Sequence, residues 1–213
     1  MKVTQIVKKL NNTEIGKGNT HETYVLVQSD MDVSDIFDTP NEIMNFKDKV
    51  DGENVRIRLT VGREKRIVGL GDFYRKHDAK AGDELLFEKI ETVNHLIQYN
   101  IFLNKANESV VLQKCKNGFE LLSDDTVQFF SEHDRAMRDG RILNIALVYM
   151  DEIRKRSDSP NTTPIYDLQV GGVSVNSDYS GKEMVEVSLI QNSTVAMLNR
   201  VCAWQKYFFE TED

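Results

Sequence analysis

GLGDFYRKHDAKAGDELLFE, residues 69–88, is the stretch from which we infer the fold of the N-terminal half. It opens with glycine and aspartate ahead of an aromatic and basic run, which predicts a short helix over residues 73–78. Gly82 and Asp83 then predict a tight turn, because glycine adopts a positive φ at no steric cost and an aspartate carboxylate accepts nearby backbone N–H groups. Residues 84–90 follow as a predicted strand whose alternate apolar side chains fill a core.

The sequence on either side of this stretch is also rich in strand signals. NVRIRLTV, residues 54–61, alternates apolar with polar or charged residues, the period of a half-buried strand. GREK, residues 62–65, predicts a tight basic turn, and residues 66–70 predict the return strand. Further predicted elements are a strand at 22–27, a short helix at 42–46 and a strand at 95–102. Residues 4–10 fit either a short strand or a helical turn.

The C-terminal half has a different pattern. Residues 124–137 and 141–156 predict two helices separated by Asp139-Gly140, since the apolar residues of the second segment fall near helical spacing. Polar residues 157–163 predict a loop. Strand patterns follow at 165–170, 173–175 and 184–190, and residues 195–209 fit a strand or a helix.

These patterns together predict an α+β protein. We expect an N-terminal β-pseudobarrel with two short helices, followed by a smaller α+β region of two helices and antiparallel strands. The expected organisation is a basic N-terminal segment at 1–19, a barrel-like domain at 20–106 and a C-terminal domain at 107–213.

Charge and composition limit the functions that the chain can have. The 213 residues include 27 lysines and arginines against 34 aspartates and glutamates, a net charge of -7. This acidity argues against a general nucleic-acid coat but permits a specific reader with a local basic patch. The two cysteines and four histidines show no metal-ligand spacing, so we predict neither a metal site nor a cofactor.

Targeting and membrane signals are absent from the sequence pattern. No apolar run is long enough to cross a bilayer, and the first residues lack the basic-then-apolar layout of a secretion signal. We therefore expect a cytoplasmic protein that does not enter a membrane.

Three pieces of residues 24–102 resemble one known domain family when they are taken in order. They are SDM at 29–31 with TPNEI at 39–43, GLGDFYRKH at 69–77, and KAGDELLFE at 80–88. In this order they resemble the DNA-binding pseudobarrel of plant B-three transcription factors, which is also the recognition domain of EcoRII-type and BfiI-type restriction endonucleases. The resemblance implies sequence-specific binding of double-stranded DNA within a restriction or regulatory system.

The family grips the major groove with two arms, and the resemblance places them at residues 28–34 and 62–66. It implies hydrogen bonds to base edges from Gln28, Ser29 and Asp30. It implies contacts to phosphates or a guanine edge from Arg63, Lys65 and Arg66. The sequence departs from the family in having a very short second arm and an acidic first arm.

Two other functions are open to the same sequence. A magnesium-dependent restriction-type endonuclease would use Asp167 and Glu186 as metal-holding carboxylates, although Ser188 stands where such enzymes carry lysine. An acidic protein-interaction module without nucleic-acid binding is the other. The aromatic cluster at Trp204, Tyr207, Phe208 and Phe209 predicts either core packing or self-association of a homo-oligomer through the C-terminal region.

Overall fold

The computed structural model describes residues 1–16, 22–106, 109–122, 126–154, 162–181 and 183–210. The chain divides into two compact units. Unit 1 consists of Met1–Lys105 together with Ala203–Asp213, and unit 2 consists of Ala106–Cys202. Unit 1 is thus assembled from two separate stretches of chain.

The described residues of unit 1 form a single eight-stranded sheet with one short helix. Its strands are β1 (Lys2–Lys9), β2 (Tyr24–Val27), β3 (Ile43–Asp48), β4 (Asn54–Val61), β5 (Lys65–Val68), β6 (Glu84–Glu91), β7 (Ile97–Asn104) and β16 (Trp204–Glu210), and its helix is α1 (Gly71–Lys76). The strand order is β16-β1-β6-β7-β3-β4-β5-β2. All neighbours are antiparallel except β3 and β7, which are parallel.

The sheet of unit 1 curls around one apolar core. Phe37, Phe46 and Phe87 lie at its centre, with ring centroids 5.3 to 5.8 Å apart. The segment after β1 reaches the edge strand β2, where the Glu14 carboxylate accepts a hydrogen bond from the Leu26 N–H at 3.3 Å. Glu14 is itself held by a buried ion pair with Lys8 at 3.0 Å, so both buried charges of this junction are paired.

The predicted stretch 69–88 folds as its residues indicate. Helix α1 confirms the short helix, and Gly82 has φ +95° in the turn that follows. The Asp83 carboxylate accepts the Lys80 N–H at 2.8 Å, and the Gly82 N–H donates to the Leu10 carbonyl. Leu85 and Phe87 on β6 are fully buried.

In unit 2, the part of the chain that the structure describes forms a closed ring of seven strands with an eighth strand at its side. Its elements are β8 (Ser109–Lys114), β9 (Phe119–Leu121), α2 (Thr126–Glu132), β10 (Arg135–Arg138), β11 (Arg141–Ile153), β12 (Thr163–Val170), β13 (Val173–Ser174), a 3-10 turn (Asn176–Asp178), β14 (Met184–Leu189) and β15 (Val195–Val201). The order is β11-β10-β15-β14-β8-β9-β12-β13, and pairing of β11 with β12 closes the ring. Its core includes Phe119, Leu168 and Val185.

The predicted α+β fold class is therefore wrong. The described residues form sixteen strands and two short helices, and the closed barrel lies in unit 2, whereas unit 1 is a curled sheet. The helix predicted at 124–137 is confirmed only at Thr126–Glu132, after which the chain enters β10, and the helix predicted at 141–156 is instead the strand β11. Asp139 and Gly140 have φ of +51° and +71°, the backbone of a two-residue hairpin turn that joins β10 to β11.

The second predicted helix of the N-terminal half is also absent. Residues 42–46 lie in β3 and its approach, because the preceding Asn41 is left-handed with φ +67° and donates its N–H to the Leu59 carbonyl. That contact turns the chain into the sheet before a helix can begin. The alternatives at 4–10 and 195–209 both resolve to strands, β1 in the first case and β15 with β16 in the second.

Several predicted segments lie partly outside the described residues. They are the basic segment beyond residue 16, the two C-terminal helices at 124–125 and 155–156, and most of the polar loop 157–163. Within the part of the chain that the structure describes, the helices are too short and too polar to pass through a bilayer.

Candidate nucleic-acid interface

The hairpin formed by β4 and β5 is the most basic part of unit 1. Residues 54–68 carry five lysines and arginines and a single carboxylate, Glu64, in a protein whose net charge is -7. The hairpin therefore has a local positive charge that the composition of the whole chain conceals.

Strand alternation places two of these cations on the outer face of the sheet. Ile57 and Leu59 on β4 point into the core, with at most 5% of their surface exposed. Arg56 and Arg58 alternate with them, and both are exposed. Neither has an ion-pair partner among the described residues, and their guanidinium groups are available to a ligand.

The neighbouring strand extends this outer face. Asn45 on β3 lies opposite Arg56, and Ile43 lies opposite Arg58. Lys47, two residues after Asn45 on β3, is exposed on the same side of the strand as Asn45. Cβ atoms of opposite residues on antiparallel strands lie about 5 Å apart, so these side chains form one continuous patch.

The turn of the hairpin contributes two more cations. Arg63 lies in the turn and Lys65 begins β5, and both are exposed. We call Lys47, Arg56, Arg58, Arg63 and Lys65 the basic face. Lys47, Arg56 and Arg58 lie on the outer side of the sheet, and Arg63 and Lys65 lie at the end of the hairpin. No described residue forms an ion pair with any of the five.

Arg66 is in a different situation from the basic face. Its guanidinium lies 4.2 Å from the centre of the Tyr24 ring and donates two hydrogen bonds to Glu64, at 2.8 and 3.0 Å. Glu22 lies 3.7 Å away on the other side. The hydrogen bonds to Glu64 raise the pKa of Arg66 above its usual value, and this arginine is already occupied within the protein.

The loop after β2 begins beside the hairpin turn. Val27, the last residue of β2, is paired with Lys65, which is also paired with Val61 at the end of β4. Neighbouring strands lie about 4.8 Å apart, so residues 28–34 and the hairpin turn leave the sheet from adjacent positions at the same end.

The beginning of this loop is open to solvent, and its later part is anchored by buried residues. Gln28, Ser29 and Asp30 are exposed, and the Met31 N–H donates to the Gln28 carbonyl at 3.0 Å to form a turn. Val33 and Phe37 pack into the core of unit 1. The buried residues anchor the loop, and its first three residues remain free for a ligand.

Two carboxylates of the loop are held by a lysine from the other edge of the sheet. The Lys206 ammonium on β16 contacts the Asp35 carboxylate, lies 3.8 Å from the Asp32 carboxylate and donates to the Asp32 carbonyl at 3.1 Å. Hydrogen bonds from Ser34 are the main cause of a lowered pKa at Asp32, and the charges of Lys206 and Lys65 add to it. The negative charge of this loop is thus partly neutralised within the protein.

The structure brings the six predicted DNA-contacting residues to one end of the sheet of unit 1. The prediction itself stays untested, and Arg66 differs from the other five in being ion-paired. Sequence reasoning missed Lys47, Arg56 and Arg58. The alternation of residues 54–61 held the signal for the last two, since it places them on the solvent side of the strand.

The two predicted nuclease carboxylates are not brought together. Asp167 lies on β12 and Glu186 on β14, and β8 and β9 separate these strands in the ring. Both side chains alternate with core residues and therefore point away from the interior of the ring. The Asp167 carboxylate accepts hydrogen bonds from Gln169 at 2.7 Å and Ser174 at 2.5 Å, and Glu186 accepts one from Ser109 at 3.0 Å.

Among the described residues, no three His, Cys, Asp or Glu side chains lie together in a group that could hold a metal ion. The fold and the exposed cations define an all-β protein of two units with a basic face on the first. No protein-family model matches the chain. No curated protein sequence matches it either.

Proposed function

We propose that unit 1 binds double-stranded DNA through the basic face and the loop that begins at Gln28. The observation that carries this proposal is a set of five exposed cations without ion-pair partners among the described residues, in a protein of net charge -7. Unpaired cations concentrated on one hairpin and the strand beside it favour a polyanionic ligand.

Phosphate contacts from the basic face would supply affinity and position. Each phosphate that a lysine or arginine neutralises releases condensed counterions, and the binding constant then falls as salt rises. Arg56, Arg58 and Lys47 lie along two adjacent strands and can follow one backbone of the duplex. Such contacts carry no sequence information by themselves.

The two loops would supply sequence readout. They leave adjacent strands about 4.8 Å apart, and a major groove is about 12 Å wide, so both loops fit into one groove. The amide of Gln28 can pair with an adenine edge, and the carboxylate of Asp30 can accept from the amino group of cytosine. Arg63 in the hairpin turn can donate to a guanine edge.

The carboxylates of the loop after β2 oppose DNA binding, because they repel phosphate. Lys206 already neutralises part of the charge of Asp32 and Asp35. Asp30 has no such partner among the described residues, so it is repelled by phosphate unless it reaches a base edge. We therefore expect selective binding, in which duplexes without a suitably placed cytosine bind more weakly.

Fluorescence anisotropy with labelled duplexes at several salt concentrations tests the proposal. The double variant Arg56→Ala with Arg58→Ala should bind roughly tenfold or more weakly near 0.1 M salt and should reduce the salt slope by about two. A matched control, Lys116→Ala with Arg141→Ala, removes two exposed cations of unit 2 and should bind as the unaltered protein does. Absence of duplex binding even at low salt, or equal loss in both variants, would contradict the proposal.

A second variant separates sequence recognition from electrostatic affinity for phosphate. Gln28→Ala with Asp30→Ala should flatten the preference among duplexes from a selected library while it leaves the salt slope unchanged. A preference that survives this change would assign the readout to other residues.

A further inference from the structure

Strand β16 forms one edge of the sheet of unit 1. It pairs with β1 along its whole length, and no described strand pairs with its other side. An edge of seven residues presents a row of unpaired N–H and C=O groups, which is a template for another strand. Natural proteins usually protect such an edge with charge, proline or a bulge, and this one carries three aromatic residues in succession.

The hydrogen bonding of β1 shows which residues of β16 face the open side. The Lys9 N–H donates to the Ala203 carbonyl at 3.0 Å, which makes these two residues a hydrogen-bonded pair. The backbone N–H and C=O groups of successive residues point to opposite sides of a strand. Those of Tyr207 and its odd-numbered neighbours therefore also point toward β1. Phe208, Lys206 and Glu210 direct their N–H and C=O groups to the open side.

The side chains on the same strand are exposed and apolar. Phe208 is 64% exposed, Phe209 46% and Tyr207 42%. The rings of Tyr207 and Phe209 stack at 6.2 Å with planes 20° apart, on the face of the sheet opposite to Phe208. Unpaired backbone and exposed aromatic side chains thus coincide on one strand.

One antiparallel register makes this strand complementary to itself. With Phe208 opposite its own copy, Lys206 lies opposite Glu210 and Tyr207 lies opposite Phe209, each pair occurring twice. This register joins residues whose backbone groups face the open side in both copies. Glu210 already lies 3.5 Å from Lys2 on β1, so a row of alternating charges would run from Lys2 through Glu210 to the second copy's lysine.

We propose that a second copy of this chain pairs with β16 in antiparallel orientation about Phe208. The two curled sheets become continuous across the pair, and the four rings of Tyr207 and Phe209 form one aromatic ladder on the outer face. Lys206 keeps its contacts with the loop of its own chain, since an ammonium group has three donors. A single strand pair buries less than a standard interface, so the dimer is weak and depends on concentration.

Sedimentation velocity of the full chain from low to high micromolar concentration measures this association. Phe208→Pro removes an N–H that faces the open side and leaves the ladder with β1 intact, so the variant should stay folded and become monomeric. Glu210→Lys places lysines opposite each other at both ends and should weaken the dimer by roughly tenfold or more. Circular dichroism confirms the fold of each variant. A chain that is monomeric throughout, or a dimer that neither substitution weakens, overturns the proposal.

Disulfide trapping tests the register itself. In a chain with Cys115→Ser and Cys202→Ser, Phe208→Cys places two thiols on a hydrogen-bonded pair with Cα atoms about 5.5 Å apart, within the range of a disulfide. Mild oxidation should yield a covalent dimer. Tyr207→Cys in the same background places its thiols diagonally, beyond about 7 Å, and should not. Equal trapping at both positions would show another register or random collision.

Discussion

Asp48 is a buried carboxylate that contacts the last residue of α1, Lys76, and the residue after it, His77. Its side chain has no exposed surface, and it contacts His77 Nε2 at 2.6 Å and Lys76 Nζ at 3.1 Å. It also accepts the Val50 N–H at 3.0 Å. Burial by itself would raise the pKa of Asp48, but the hydrogen bonds from Val50, His77 and Lys76 outweigh it and the pKa is lowered.

A lowered carboxylate pKa makes stability depend on pH in one direction. The contribution of Asp48 is present above the pKa of the unfolded chain, about 3.9, and is lost as pH falls through the lower pKa of the folded protein. Asp48→Asn should therefore reduce the free energy of unfolding by about 2 kcal/mol at pH 7. Urea titrations at pH 7 and pH 3 measure the difference, which should shrink at the lower pH.

The exposed pair Asp72 and Arg75 on the same helix is the control. Asp72→Asn removes an ion pair whose two side chains are largely in solvent, and it should leave the urea midpoint unchanged at both pH values. An Asp48→Asn variant as stable as this control would mean that the contacts of Asp48 contribute nothing net.

Single residues show where prediction from sequence stops. Arg66 and Arg63 are equivalent in the sequence, since both lie in a basic hairpin. The register of β2 against β5 separates them, because it places Arg66 opposite Leu26 and brings its guanidinium over the Tyr24 ring, where Glu64 also reaches it. Strand register is a property of the folded sheet, and a single sequence does not contain it explicitly.

At the scale of elements, Gly69 links β5 to α1 in a conformation that only glycine adopts readily. Its φ is +96°, and a Cβ at this position would lie 2.2 Å from the Arg56 carbonyl oxygen. Gly69→Ala must displace β4 or the link itself, and we expect it to destabilise unit 1 by about 3 kcal/mol. Thermal and urea unfolding measure the loss.

Gly62 in the turn of the hairpin provides the matched control. A Cβ there meets no heavy atom within 4 Å, and its φ is not in the left-handed region. Gly62→Ala should therefore leave stability within about 0.5 kcal/mol of the unaltered protein. If Gly69→Ala lost no more stability than Gly62→Ala, Gly69 would not lie as close to the Arg56 carbonyl as described.

The contrast between β4 and β11 explains which elements could be predicted. In β4 the alternation of polar and apolar residues is strict, so only a strand fits. In β11 the outward positions also carry apolar residues, such as Ile142 and Val148, which are 54% and 41% exposed. Together with Ile145, which faces the core, these residues recur every three positions, as on one side of a helix. The sequence therefore predicts a helix where the structure has a strand.

At the scale of the whole molecule, the order of strands holds information that no local pattern carries. β1 and β16 are paired although almost 200 residues separate them, and the Trp204 side chain belongs to the core of unit 1. The aromatic cluster of the C-terminal region was recognised from sequence. Its assignment to a strand beside β1 requires the sheet.

The insertion of unit 2 into unit 1 leads to a prediction about the whole chain. One row of paired residues crosses the sheet from the end of β7 to the start of β16. Asn104 is paired with Glu84, and Glu84 is paired with Lys9. The Lys9 N–H in turn donates to the Ala203 carbonyl. Three strand spacings of about 4.8 Å separate the two points where unit 2 is attached, a gap of about 14 Å. A linker of six glycine and serine residues spans at most about 21 Å.

Replacement of residues 106–202 by that linker should therefore leave unit 1 folded, with β16 still paired with β1. Hydrogen exchange should show the amides of β1 and β6 as protected as in the full chain, because every strand of the curled sheet is retained. The matched variant ends the chain after Cys202, which keeps unit 2 and removes β16 with the buried Trp204. Its β1 amides should exchange fast and its urea midpoint for unit 1 should fall. Retention of duplex binding by the linker variant would further place the binding surface on unit 1 alone, whereas its loss with an intact fold would mean that unit 2 supplies part of that surface.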